Sequence, residues 1–225
     1  MTLPIKPQPP THWRSECAGR IMHLWFFKAT GTALFAGIFF YSYFALLQSP
    51  VYPVTVMPTT WVDDHIALWP PAFYFYASLW LYTALVPALQ KSLLRLMGYG
   101  CAMGALCLTG LVTFLFFPTA VPFSPDSWPA DAGFSILRKV DMSGNACPSL
   151  HVATASFTAV CMHKLLRDMH CPTWLQVSNW VWCALIVYST MGIKQHVMWD
   201  VAAGLVLALV FAYLYPLLER RLVDK

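Results

Sequence analysis

Residues 97–117 read MGYGCAMGALCLTGLVTFLFF, a run without one charged side chain. At about 1.5 Å per residue, such a run covers the roughly 30 Å of a bilayer's hydrocarbon as a helix. Its apolar residues are continuous and do not alternate, which fits a spanning helix and not a strand of a membrane barrel. Five more runs of this kind accompany it, near 24–47, 71–90, 149–166, 175–193 and 196–217. Over all 225 residues, 58% are hydrophobic, 11% are charged and the mean hydropathy is +0.57. A soluble domain carries about 25% charged residues. The reading is an all-α membrane protein, a six-transmembrane-helix bundle.

Lysine and arginine positions orient that bundle. An even number of spans puts both termini on one side, together with Lys6, Arg14, Arg20, Lys91, Arg95, Lys164, Arg167, Arg220, Arg221 and Lys225. The other side holds Arg138, Lys139 and Lys194, so both termini are expected in the cytoplasm. In a bacterial inner membrane the loops 48–70 and 118–148 then face the periplasm. The net charge of +4 follows from the same bias and calls for no nucleic-acid partner. The first run is longer than a signal-peptide core and no small-residue cleavage site follows it, so it reads as a helix. Residues 1–20, opening on the proline-rich MTLPIKPQPP, read as a flexible N-terminal segment, and 21–225 as a single six-helix domain. Segment 51–70, broken by prolines and carrying Tyr52, Trp61 and Trp69, reads as a loop with a short interfacial helix. Seven cysteines stand singly with no CxxC pair, giving neither a disulfide framework nor a zinc site. Cys147, beside a loop–helix junction, is the one to watch.

Ionisable residues at the edge of apolar runs are costly and mark function. Three stand out: His151 in NACPSLHVAT (145–154), and His196 with Asp200 in STMGIKQHVMWD (189–200). A spacing of four puts His196 and Asp200 one turn apart on a helix face, where the carboxylate can fix the imidazole tautomer. Pro148 suits a first helical turn and Ser149 a cap; Thr154, Ala155, Ala203 and Gly204 keep both faces small. Both histidines then sit at helix N-termini, which favour phosphate, and two histidines at an anion site suggest phosphoryl transfer. The plainer readings are a structural histidine near the interface and a merely satisfied His–Asp contact. Two such places on one side of the membrane favour a shared role.

PSLH at 148–151 and STMGIKQHVMWD at 189–200 resemble the second and third signatures of the type 2 phosphatidic acid phosphatase superfamily, PSGH and SRxxxxxHxxxD. The first signature, KxxxxxxRP, has no counterpart in LFFPTAVPF at 115–123. The resemblance implies a six-helix bundle with a site at the outer face that works without metal or other cofactor. It implies His196 as nucleophile, Asp200 as its orienting partner, His151 as general acid and Ser149 with nearby amides as phosphate ligands. Leu150 replaces the motif glycine, and PSLH looks more like the inositol phosphorylceramide synthase branch. Thr190 replaces the motif arginine, so another cation must balance the phosphate: Lys194 first, then Arg138 and Lys139.

The leading expectation is a lipid phosphate or diphosphate phosphatase acting through a phosphohistidine. The alternatives are a lipid headgroup phosphotransferase and a catalytically silent membrane scaffold, which the missing arginines favour and the intact His151, His196 and Asp200 oppose. The expected partners are a lipid phosphate and membrane lipids, and a homodimer is left open.

Overall fold

The computed structural model describes residues 12–123, 128, 129, 133–135, 137 and 144–223. Helix α1 (His12–Met22) leads into α2 (Trp25–Gln48); a short strand β1 (Thr55–Val56) and a helix of little more than one turn, α3 (Trp61–His65), follow. Next come α4 (Ala72–Ala77), α5 (Leu79–Ala88), α6 (Leu93–Phe116) and strand β2 (Thr119–Ala120). The chain closes with α7 (Leu150–Asp168), α8 (Thr173–Gly192) and α9 (Met198–Val223). Every apolar run of the sequence is therefore helical, the second of them as the pair α4 and α5 that meets at Ser78.

Three helices are long and apolar enough to cross a membrane by length and composition: α2, α6 and the Met198–Leu217 part of α9. The others fall short for physical reasons. Helix α7 runs through the middle of the bundle, packed on α5, α6, α8 and α9, so its surface meets protein and tolerates His163, Lys164 and Thr158. Helix α2 is the opposite case: apolar on every side, it buries only Lys28 and Leu47, as a helix facing lipid does.

Residues 12–20, expected to be part of a flexible segment, belong to α1. Their order has a cause: Trp13 and Cys17 pack against the main core, and Arg20 pairs with Glu16 one turn away at 2.5 Å.

The core forms where α6, α7 and α9 meet. Phe157 stacks on Tyr99 (5.8 Å between ring centroids) and meets Tyr215 edge-on (5.8 Å). Two glycines set how closely the helices approach. A Cβ on Gly204 would lie 2.6 Å from the carbonyl oxygen of Ser149, so α9 and the start of α7 touch backbone to backbone. A Cβ on Gly110 of α6 would lie 2.5 Å from a methyl of Leu150. Leu150, the residue that departs from PSGH, is housed by that glycine.

Above the helices, three loops are tied together. β1 and β2 pair in parallel, Thr55 opposite Thr119 and Val56 opposite Ala120, and Thr119 also bridges to Asn145. The Thr119 hydroxyl accepts from the Cys147 amide at 2.7 Å. The stretch 115–123, without a recognisable motif of its own, thus braces the loop that carries His151.

Candidate active site

His196 is delivered by the end of α8. There the Gln195 amide bonds to the Thr190 carbonyl (3.0 Å) and the Lys194 amide to the Met191 carbonyl (2.9 Å), the paired bonds of a Schellman C-cap. Lys194 occupies the left-handed position with φ of 62°, where glycine is usual. The His196 amide adds a further bond to Thr190 O (3.1 Å). Thr190, standing where the motif arginine would be, is buried with its hydroxyl turned to Val187 O of its own helix.

His196 consequently precedes α9 instead of lying on its face. The pairing with Asp200 survives through a capping turn: Asp200 Oδ2 accepts from the Val197 amide (3.0 Å) and stands 3.4 Å from His196 Nδ1, the reach-back half of a capping box. The carboxylate is fully buried. Asp200 also accepts at its carbonyl from the Ser149 amide (3.0 Å), which locks the start of α9 to the start of α7.

On α7, Ser149 is the N-cap and its hydroxyl accepts from the Val152 amide at 3.3 Å. Pro148 therefore stands just ahead of the cap and not in the first turn. His151, two residues past the cap, stacks on Tyr76 of α4 (4.2 Å, 19° between planes) and meets Trp80 edge-on (5.5 Å). The rings of His151 and His196 lie 6.2 Å apart. Nε2 of His151 is buried and without a hydrogen-bond partner among the described residues.

Both histidines line one cavity of about 230 Å³ whose wall includes Tyr76, Trp80, Leu137, Asn145, Thr154 and Gln195. Phe39, Phe40, Trp80 and Thr154 also line a second, apolar cavity of about 440 Å³ that runs between α2, α5 and α6 toward Lys28. The histidine site thus opens into a groove among the apolar helices.

Of the other expected residues, Lys194 points elsewhere: its ammonium donates to the carbonyls of Asp63 (3.0 Å) and Ile66 (2.5 Å). It lines no part of the histidine cavity. Arg138 and Lys139 lie outside the described residues. Burial, with the Asp200 carboxylate adding to it, pushes the Cys147 thiol up to about 11, so this sulfur stays protonated and is no rival nucleophile.

Sequence reading missed Tyr76, Asn145 and Gln195 as cavity residues, and Asp63 as a tie. Asp63 caps α3 through Thr60 (amide 2.7 Å, hydroxyl 2.8 Å) and accepts from the Met198 amide at 2.8 Å. Its signal was the Thr60-x-x-Asp63 spacing of a capping box. Tyr76 carried none, lying within an aromatic stripe, FYFYASLWLY (73–82), that reads equally well as helix packing.

A family model of the PAP2 superfamily matches residues 51–214. No curated protein and no solved structure matches the chain. The matched stretch takes in both histidines, Asp200 and every residue lining the two cavities except those on α2. The chain belongs to the PAP2 superfamily, that of type 2 phosphatidic acid phosphatase.

Proposed function

We propose that this PAP2 superfamily member, a membrane protein of a family of phosphatases and phosphotransferases, is a metal-independent lipid phosphate or diphosphate phosphatase that works through a phosphohistidine on His196. The observation that carries the reading is the pairing of His196, backed by a buried Asp200, with His151 at 6.2 Å between rings. His196 Nε2 attacks phosphorus while Asp200 holds Nδ1–H and stabilises the cationic ring. His151 gives a proton to the leaving oxygen and then takes one from the attacking water. The first amides of α7, Leu150 and His151, have no carbonyl one turn back to bond and are the donors for phosphate oxygens. Ser149 supports them as the cap that aims them.

The remaining negative charge needs a cation. Leu137 lines the cavity, and Arg138 and Lys139 follow it in the chain; they are assigned to the phosphate ahead of Lys194. The lipid part of the reading rests on the apolar groove of about 440 Å³ that shares four residues with the histidine cavity. An acyl or prenyl tail between α2, α5 and α6 would leave its phosphate beside His151. In this reading the bundle crosses the membrane six times and both termini are cytoplasmic. The short helix α3 lies at the outer interface, and the site faces the periplasm of a bacterial inner membrane.

The test uses full-length protein in detergent with excess EDTA, given lipid phosphates and diphosphates while released phosphate and new phospholipids are followed by mass spectrometry. Phosphate release that disappears in His196→Ala supports the phosphatase. Release that persists in His196→Ala removes the phosphohistidine. A new lipid without free phosphate replaces water by an alcohol acceptor, and neither product across the panel leaves a silent scaffold.

A further inference from the structure

Another cavity, of about 270 Å³, lies at the end of the bundle away from the histidines, lined by Gln90, Arg95, Lys164, Asp168, Tyr215 and Glu219. The start of α6 and the ends of α7 and α9 enclose it. Glu219 stands on α9 about 30 Å from Met198, its first residue, at roughly 1.5 Å per residue. That is about the thickness of a bilayer's hydrocarbon. In a membrane the cavity therefore lies at headgroup level, in the leaflet opposite the histidine site.

Its polar groups do not satisfy one another. Gln90 and Tyr215 are only 3% and 5% exposed. Neither side chain has a hydrogen bond among the described residues, and both line the cavity. The Lys164 ammonium lies over the Tyr215 ring at 5.7 Å and has no carboxylate partner among the described residues. Arg95 alone serves two carboxylates, Asp168 at 3.7 Å and Glu219 at 3.6 Å. Both distances exceed the roughly 2.7–3.2 Å of a hydrogen bond. Buried polar groups are ordinarily paired, so this cluster points to a ligand that completes it.

The charges name that ligand. One ammonium stands without a carboxylate, while two carboxylates share one guanidinium, so the cavity has a positive end, a negative end and no net charge. Lys164 and Asp168 are four apart on α7, which sets the two ends one turn, about 5–6 Å, from each other. A simple anion would meet the carboxylates as well as Lys164, and a simple cation the reverse. A ligand with both charges meets each with its opposite. Its anion accepts from Lys164, the Gln90 amide and the Tyr215 hydroxyl, and its ammonium donates to Asp168 and Glu219. We infer that this cavity recognises a zwitterionic headgroup: a phosphate diester joined by two carbons to a primary ammonium. Its depth in the bilayer makes a phospholipid of that leaflet the source, and the exposed Leu94 and Leu214, chain neighbours of Arg95 and Tyr215, lie beside it for the tails. The inference needs only that the chain sits in a membrane and is independent of the phosphoryl chemistry proposed above.

The test mixes the full chain in detergent with short-chain phosphatidylethanolamine, phosphatidylcholine or phosphatidylglycerol. Bound lipid is measured by native mass spectrometry beside thermal melts. Phosphatidylethanolamine should bind about tenfold more tightly than the other two at low salt, with a preference that shrinks as salt rises. It should also raise the melting temperature most, because it joins three helices. The two ends can be probed separately. Asp168→Asn with Glu219→Gln should bring the ratio of phosphatidylethanolamine to phosphatidylcholine to one, since a quaternary ammonium has no proton to donate. Lys164→Met should weaken both lipids and keep their ratio. Asp168→Asn alone, at a half-exposed position, carries the ratio test if the double variant fails to fold. Equal binding of the three lipids overturns the inference, as does a preference that survives loss of the carboxylates. Tightest binding of phosphatidylglycerol would make the cavity an anion site and overturns it too. Free phosphoethanolamine separates the sources: displacement of the bound lipid shows that the headgroup suffices, and no displacement beside a retained preference assigns the cavity to the lipid alone. No readout here needs turnover, so a failure of the lipid preference and a failure of the phosphohistidine are told apart.

Discussion

The two histidines sit at two helix starts and are held in different ways. His196 is fixed by hydrogen bonds: its amide to Thr190 O at 3.1 Å, its Nδ1 facing Asp200 at 3.4 Å. His151 is fixed by ring faces, Tyr76 below it at 4.2 Å and Trp80 at its edge at 5.5 Å. The difference matches two jobs. A nucleophile needs one tautomer and a counter-charge behind it, which a carboxylate supplies. A group that gives and takes a proton within a cycle needs its position held while its nitrogens stay free, which stacking supplies.

The comparison breaks most easily at the nucleophile. His196→Ala should lower turnover about 10⁴-fold or more on every substrate, because no step avoids it. His151→Ala should slow formation of the phosphoryl-enzyme about 10²–10⁴-fold for an alkyl leaving group, and far less for nitrophenyl phosphate, whose leaving oxygen needs no proton. Rapid-quench rates of that step for the two substrates read this directly, because the later breakdown, where His151 takes a proton from water, is common to both. An equal loss on both in His151→Ala would mean that His151 does not act as the acid.

Asp200→Asn comes next, at about 10²-fold, since it leaves the imidazole in place but removes the charge that stabilises its cation. It should slow formation of the phosphoryl-enzyme in a rapid-quench measurement. A variant as slow as His196→Ala would show that Asp200 is needed to build the site, a reading its bond to the Val197 amide makes concrete. Tyr76→Leu should reach about tenfold at most, the worth of one aromatic contact. Its effect should grow with the basicity of the leaving group, following His151. A loss independent of the leaving group would shift Tyr76's role to Gln195, whose Oε1 it contacts.

How much of this was legible in the sequence differs between the two helix starts. At α7 the cap Ser149 and the position of His151 followed from residue types, and the small residue Gly204 was read as allowing close approach. All of these are local rules. At α9 the local rule misled slightly: spacing by four implied a helix face, but the chain first closes a Schellman turn and His196 lies before the helix. The pairing held because a capping turn also brings residues three and four apart together. What no local rule reached was the rest of the cavity. Tyr76, Asn145 and Gln195 come from three separate parts of the chain and meet only through packing and the β1–β2 tie. The apolar runs located the helices, but not that α7 would be the central one, since hydropathy records how polar a helix is and not what surrounds it.

The smallest expected effect concerns Lys194, where the sequence offered a phosphate cation and the structure shows a tether. Its left-handed backbone is disfavoured by roughly 1 kcal/mol for a residue with a Cβ, and its two bonds to Asp63 O and Ile66 O hold α3 over the turn. Lys194→Ala removes the bonds and keeps the strain; Lys194→Gly removes both. The glycine variant should therefore melt above the alanine variant, by about 1 kcal/mol in stability, and its turnover should be the nearer to the unsubstituted chain. Thermal melts in detergent beside initial rates decide the matter. If both variants instead lose turnover alike, far beyond their difference in melting, then the ammonium leaves its carbonyls when substrate arrives. Lys194 would then take over the role assigned to Arg138 and Lys139. Lys194→Arg would confirm that reversal, because a guanidinium keeps the charge while its planar fork fits two backbone carbonyls differently.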